Sequence, residues 1–266
     1  MKFWKMSGAG NDFVMVDNRN GELNSVLTAD RIASVCQRGL SIGADGLIEL
    51  RTDSEGSAFR MKYYNSDGGA ADMCGNGARC ICRFSDMLGV TKRGSEFSFR
   101  SDAGLHRGLV TGDSEARIWM TEPVLHYIEQ PLQAGDRTFQ TGYADTGVPH
   151  AVIFTDDLED GSFEKYASLV RHHNSFSAGA NANWVQLNNQ NPVMMRTFER
   201  GVEGETLACG TGAVAVALIA SERFSFVNLP VRIEVRSGLI LTVSCDDRGW
   251  WLQGQAKVVY QGELFS

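Results

Sequence analysis

The chain lacks the spacings that would tie up its cysteines. Cys36, Cys74, Cys80, Cys82, Cys209 and Cys245 include no Cys-x-x-Cys pair, and their spacing resembles no zinc site. There is no basic block and the net charge is −7, which argues against nucleic acid and anionic membrane as partners. No stretch approaches the ~18–20 apolar residues of a membrane span. The N-terminus, Met1 to Ser7, reads directly as strand, without the apolar core or cleavage site of a signal peptide. The Gly-x-Gly at Gly8 to Gly10 runs into another strand rather than a helix, so there is no dinucleotide-binding fingerprint. What remains is a chain of 266 residues, 43% hydrophobic and 21% charged, which reads as a soluble cytoplasmic enzyme of one large or two ordinary domains. A disulfide framework is not expected in that compartment.

Against these absences stand two short stretches that look like copies of one device. Asp72-Met73-Cys74-Gly75-Asn76-Gly77-Ala78-Arg79 and Leu207-Ala208-Cys209-Gly210-Thr211-Gly212-Ala213-Val214 each carry a cysteine, a Gly-x-Gly and an apolar helical run. Glycines after the cysteine let the backbone turn tightly and approach a ligand. The following helix aims its first N–H groups and positive dipole end back at the sulfur, which favours thiolate and holds a carboxylate. Two copies imply two half-sites facing each other across a cleft. Cys36, Cys80, Cys82 and Cys245 lack the glycine context and are expected in the core.

In chain order, residues 2–6 and 13–17 read as strands joined by the link Ser7 to Asp12. Thr28 caps a helix over 29–39 that Gly39 stops, and strands follow at 47–50 and 58–64, the latter ending in the turn Asn65-Ser66-Asp67-Gly68-Gly69. A helix over 76–88 presents Ala78, Ile81, Cys82, Ser85 and Leu88 on one face. Strands are expected at 96–101, 104–111 and 115–121, and Pro123 and Pro131 bracket a connection into a second domain. Beyond it lie strands at 137–143 and 151–154, a helix over 162–171, and strands at 183–187 and 193–198. Ala213 to Ala220 is apolar on every side, so its helix is expected to be buried all round by strands. The last strands are expected at 231–236, 239–244, 249–253 and 256–260. The order of elements predicts a duplicated α+β plan: residues 1–115 with 257–266 form one half around Cys74, and 116–256 form the other around Cys209.

Two opposed cysteines suit inversion of a carbon centre without a cofactor. One thiolate removes a proton from one face, a thiol delivers another to the opposite face, and the roles reverse for the reverse reaction. A carbanion next to a carboxylate needs preorganised electrostatic stabilisation, which two helix N-termini provide. Two phosphate-binding loops, or a redox pair of thiols, are the competing readings. Asn11, Asn65 and Asn181 are candidate ligands, though Asn in turns is also a conformational choice. Arg200, after Glu199, is either a solvated ion-pair partner or a fork for a second carboxylate. His150, after Pro149, is either a buried structural histidine or a base that helps ionise a cysteine.

Ser7-Gly8-Ala9-Gly10-Asn11-Asp12-Phe13, Asn65-Ser66-Asp67-Gly68, Cys74-Gly75-Asn76-Gly77-Ala78-Arg79-Cys80, Gly147-Val148-Pro149-His150 and Glu199-Arg200-Gly201 through Cys209-Gly210-Thr211-Gly212 together resemble the diaminopimelate epimerase family, in order and over nearly the whole chain. The resemblance implies two α+β domains related by a pseudo-twofold axis, each a barrel-like, mostly antiparallel sheet around a central helix. It implies epimerisation of LL-diaminopimelate to the meso form, in lysine and peptidoglycan precursor biosynthesis, with no cofactor and no metal. By motif position Cys74 and Cys209 are the acid–base pair, with His150 and Glu199 as auxiliary groups. Gly75, Asn76, Gly210 and Thr211 would hold the reacting carboxylate, and Asn11, Asn65, Asn181, Glu199 and Arg200 would grip the substrate. Two positions depart from a common family pattern: Gly46 stands where many members carry Gln, and Val148 where many carry Asn. A related two-cysteine racemase acting on another amino acid is the alternative. The expected partner is a small diamino dicarboxylate; a homodimer is compatible with the sequence, which does not fix the oligomeric state.

Overall fold

The computed structural model describes residues 1–187 and 192–265. The chain divides into two compact units, Met1–Ile118 with Gln253–Ser266, and Trp119–Leu252. Among the described residues no helix is long and apolar enough to cross a membrane.

The first unit contains β1 (Lys2–Gly8), β2 (Asn11–Asp17), α1 (Ala29–Cys36), β3 (Gly46–Arg51), β4 (Arg60–Asn65), β5 (Ala70–Ala71), α2 (Gly75–Met87), β6 (Glu96–Ser101), β7 (Gly104–Gly112) and β8 (Glu115–Trp119). The second contains β9 (Val124–Ala134), β10 (Arg137–Asp145), β11 (Pro149–Phe154), α3 (Phe163–Arg171), β12 (Asn181–Gln186), β13 (Val193–Glu199), β14 (Gly204–Thr206), α4 (Gly210–Arg223), β15 (Val231–Glu234), β16 (Ile240–Asp246) and the first four residues of β17 (Gly249–Gln255). A last strand, β18 (Lys257–Glu263), pairs antiparallel with β1.

The two series repeat element for element. In the first unit β1 pairs antiparallel with β2, β2 parallel with β3, β3 antiparallel with β4, and β4 parallel with β6. In the second, β10 pairs antiparallel with β11, β11 parallel with β12, β12 antiparallel with β13, and β13 parallel with β15. Each first parallel pair is bridged by a helix, α1 or α3, as a parallel crossover requires. Each second is bridged by a two- or three-residue strand and then the central helix, α2 or α4. Only β9 and β18 fall outside the repeat, and they too correspond, pairing with β10 and β1.

Helix α2 packs on β1, β2, β3, β4 and β7, and α4 on β9, β10, β11, β12 and β16. Every residue of α4 from Gly212 to Ala220 is buried. Val214, Val216 and Ile219 are poor helix formers beside Ala, but burying each stabilises the fold by about 1.5–3 kcal/mol, against a few tenths lost in propensity. The expected helix apolar all round is present, and strands of its own unit surround it.

Several expectations are corrected. The link after β1 is only Ala9 and Gly10, both at positive φ (62° and 123°), so Ser7, Asn11 and Asp12 belong to strands. Helix α1 does begin at the Thr28 cap, whose hydroxyl accepts from the Arg31 amide, but it ends at Cys36 rather than Gly39. Residues 124 to 131 are not a linker: they lie in β9, which Pro123 directly precedes, an 11-residue strand in which Pro131 is exposed and sits opposite Gln140. Proline cannot donate to a ladder; the pairing of β9 with β10 is regular from Gln130 to Ala134 and shifts register only before Gln130. Cys36, Cys80 and Cys82 are in the core, but Cys245 is exposed. It continues the inward alternation of Leu241 and Val243 past Val231, where the partner strand begins, so nothing covers it from that side.

Candidate active site

The candidate residues occupy corresponding places in the repeat. Asn11 opens β2 as Pro149 and His150 open β11. Gly46 opens β3 as Asn181 opens β12, and Asn65 closes β4 as Glu199 closes β13. The register sets Phe13 opposite Gly46 and Gly46 opposite Asn65, so in the first unit these strand ends share one edge of the sheet. His150 sits opposite Asn181 in the same way. The central helices start after β5 and β14, which return along β4 and β13 from that edge.

Each central helix has a cysteine where Ser, Thr, Asp or Asn usually stands as the N-cap. Cys74 and Cys209 are both extended, at φ −140° and −123°. The Cys74 sulfur accepts from the Gly77 amide at 3.5 Å, and the Cys209 sulfur from the Gly212 amide at 3.4 Å. The Thr211 hydroxyl lies 3.5 Å from the Cys209 sulfur. Cys74 is half-buried and Cys209 buried. Gly75, Asn76, Gly210 and Thr211 provide the first-turn amides, which have no acceptor within a helix. Hydrogen bonds and partial positive charge aimed at a sulfur favour its thiolate form. The neighbouring thiols lie the other way: burial pushes Cys80 up to about 12 and Cys36 up to about 11.

The glycines do not serve backbone freedom, because none of Gly75, Gly77, Gly210 and Gly212 has positive φ. They make room. A Cβ on Gly212 would stand 2.6 Å from Asn183 Oδ1, and one on Gly77 would stand 2.7 Å from the Ile48 δ-methyl. Positive φ is used instead at Gly68 (86°), in the turn that closes on Asn65 through Gly68 N to Asn65 O at 3.0 Å. The Asn65 side chain is exposed. Gly46 admits no side chain on this backbone, since its Cβ would stand 2.3 Å from the Tyr64 carbonyl and 2.7 Å from the Tyr63 ring.

In the second unit Asn181 and His150 are buried, and the Arg200 amide donates to Asn181 Oδ1 at 2.7 Å. An Arg200 guanidinium nitrogen donates to the Ala178 carbonyl at 3.1 Å. Asn183, which the sequence reading missed, ties the group together. Its Nδ2 donates to the Ala151 carbonyl at 2.9 Å and lies 3.2 Å from His150 Nδ1; its Oδ1 accepts from the Thr197 hydroxyl at 2.9 Å. Thr146, also missed, is buried and donates to the Thr211 carbonyl at 3.2 Å, bracing the first turn of α4. Neither has a motif signal: Asn183 is placed by the pairing of β11 with β12, and Thr146 by the turn between β10 and β11. Asn amide nitrogens face both ring nitrogens of His150, the second at 3.5 Å from Asn181. A neutral ring accepts at one nitrogen only, and the shorter contact assigns that role to Nδ1. Burial, helped by the Arg200 charge and opposed by the Asn183 hydrogen bond, pushes the His150 pKa down to about 3. Burial thus keeps the ring neutral near pH 7. Burial raises the Glu199 carboxyl above its ordinary value, against the Thr206 hydroxyl.

The profile of the diaminopimelate epimerase family matches residues 3–126 and 142–261. A diaminopimelate epimerase of Chlorobaculum tepidum is 39% identical over 262 residues, 97% of this chain and 99% of that one. That of Aquifex aeolicus is 36% identical over 275 residues, 99% of this chain and 98% of its own. Among solved structures, a putative phenazine biosynthesis protein from Clostridium difficile superposes with a TM-score of 0.74 at 10% identity, covering all of both chains. A probable proline racemase from Agrobacterium radiobacter gives 0.70 at 11% identity, covering 99% of this chain and 92% of that one. These two likenesses establish a shared fold of sheet wrapped on a central helix, while the sequence matches go further: the chain belongs to the diaminopimelate epimerase family.

Proposed function

We propose that the protein interconverts LL- and meso-diaminopimelate by a two-base reaction in which Cys74 and Cys209 are the bases. The observation that carries this reading is the repeated cap: in each unit a cysteine sulfur, not an oxygen, accepts the third-residue amide of the central helix. One sulfur, as thiolate, takes the α-hydrogen as a proton and becomes a thiol. The electron pair stays on the α-carbon and spreads into its carboxylate, whose developing charge is met by first-turn amides of Gly75, Asn76, Gly210 and Thr211. The other sulfur, as thiol, gives its proton to the opposite face and becomes the thiolate. No proton or electron is gained or lost, and the enzyme is left set for the reverse reaction. In this reading Asn11, Asn65, Asn181 and Arg200 hold the rest of the substrate. Glu199, with its raised pKa, is the auxiliary acid–base group. His150 serves as a neutral buried anchor for Asn183.

The alternative of a racemase for another amino acid is favoured only by Val148 and by Gly46, where the backbone leaves no room for a longer side chain. The test is incubation of pure enzyme with LL-diaminopimelate in deuterated water, beside a panel of other amino acids. Conversion to the meso isomer with one α-deuteron is expected, with no exchange into the panel. Absence of α-exchange in diaminopimelate, or faster exchange in another amino acid, would defeat the reading.

A further inference from the structure

Arg79, in the second turn of α2, is fully buried and has no carboxylate partner among the described residues. Burying an unpaired charge is costly, so a guanidinium kept in this position needs a purpose. It donates to Asn76 Oδ1 at 2.7 Å and makes longer contacts, both 3.5 Å, to the Gly75 and Gln255 carbonyls. Asn76 Nδ2 in turn donates to Asn11 Oδ1 at 2.5 Å, and Asn11 Nδ2 donates to Asp45 Oδ2 at 2.9 Å. Asp45 is fixed by Arg38 at 2.8 Å and by the Asp12 amide at 3.1 Å. Asp12 is held by Arg38 at 2.5 Å and by the buried ammonium of Lys5 at 2.7 Å.

This is a chain of two amides with a cation at one end and a carboxylate at the other. An amide is close to symmetric in shape, so only its neighbours decide which end is oxygen. Here charge decides. Turning Asn76 over would set its NH2 against the guanidinium and its oxygen against the Asn11 oxygen. Turning Asn11 as well would set its oxygen against the Asp45 carboxylate. Both amides must turn together, and both charged ends oppose it.

We propose that Arg79 and Asp45 are positioning residues which, from opposite ends, fix the amide orientation of Asn76 and Asn11 for substrate binding. The proposal rests on the reading above in which these two asparagines hold substrate. It accounts for an arginine here rather than a lysine, which would lose its proton when buried without a partner. It also predicts a particular form of coupling. Removing one end leaves the amides held from the other, so Arg79→Met or Asp45→Asn alone raises KM for diaminopimelate only a few-fold. Removing both releases the chain, and the double variant raises KM at least ~10-fold beyond the product of the single effects, with kcat less affected.

Steady-state kinetics on the four proteins test this, with circular dichroism to confirm folding. A merely structural role for Arg79 gives loss of stability and single effects that multiply, because Arg79 and Asp45 do not touch; that outcome overturns the proposal, as does an effect on kcat alone. Arg79→Lys is measured in parallel. Its amine, buried without a partner, is neutral and accepts as readily as it donates, so combining it with Asp45→Asn is expected to raise KM beyond the product of the single effects, and effects that merely multiply would be equally fatal. If Arg79→Met does not fold, this pair decides the matter. Failure of the wild type to epimerise diaminopimelate would instead sink the functional reading before any variant is compared.

Discussion

At the scale of single residues, the informative contrast is among six thiols of one chain. Cys80 and Cys82 are fully buried, and burial raises both; Cys36 follows them. Cys74 and Cys209 alone sit at helix caps with an N–H donated to sulfur. In the two-base reading each serves one face of the carbon, so neither replaces the other. Cys74→Ala and Cys209→Ala are each expected to lower kcat at least ~100-fold, the usual scale for a positioned acid or base. Cys245→Ala, at an exposed strand end, is expected to leave kcat unchanged. The assay is epimerisation followed in both directions, and near wild-type turnover by either cap variant would end the two-base scheme. The glycine context made this distinction legible from sequence. The exposure of Cys245 was not legible, because alternation along β16 says which way a side chain points but not where its neighbour strand begins.

At the scale of elements, the two capped helices look alike in sequence but rest on different neighbours. A methyl on Gly77 would meet the end of the flexible Ile48 side chain, which can rotate away. A methyl on Gly212 would meet Asn183 Oδ1, in a buried amide held by Ala151, Thr197 and His150. Replacing Gly by Ala inside a helix otherwise gains up to about 1 kcal/mol. Gly77→Ala is therefore expected to be close to neutral for stability. Gly212→Ala is expected to cost about 1–3 kcal/mol, the penalty for leaving buried polar groups without their partners. Urea unfolding of both variants measures this, and equal effects would show that Asn183 moves freely. The same elements show how far sequence carried. Helices α2 and α4 and most strands follow from periodicity and turn chemistry. The brief strands β5 and β14 do not, because two or three residues carry no period. Nor does β9, where exposed residues and a proline obscure the alternation and only pairing with β10 makes a strand.

At the scale of the whole chain, duplication was visible as an order of elements but not residue by residue, since corresponding positions hold different side chains: Phe13 against His150, Gly46 against Asn181, Asn65 against Glu199. The two units consequently solve the same problem with different chemistry. The first fixes its polar groups with charge, through Lys5, Asp12, Arg38, Asp45 and Arg79; the second uses a neutral histidine among asparagines. This difference has a consequence for stability against pH. Burial alone would raise Asp12, but hydrogen bonds from Arg38 and Lys5 overcome it and lower the group to about 2. Its stabilisation is present above the unfolded value near 4 and is lost as pH falls toward 2. His150 acts sooner. Its folded pKa near 3 lies below the unfolded value of about 6.5, so between these limits the unfolded chain binds a proton that the folded chain does not. Stability then falls with acidification by up to about 1.4 kcal/mol per pH unit from this group alone. Glu199, raised by burial, has the opposite sign: it favours the folded state at low pH and loses that contribution as pH rises through its folded pKa. The wild type is therefore expected to weaken between pH 6.5 and pH 4.5. His150→Gln, which keeps a hydrogen-bonding side chain but cannot take up the proton on unfolding, is expected to be less stable at pH 7.5 yet to lose much less over that interval. Urea midpoints at pH 7.5, 6.0 and 4.5 for both proteins make the comparison, and parallel declines would mean that His150 does not carry the acid sensitivity.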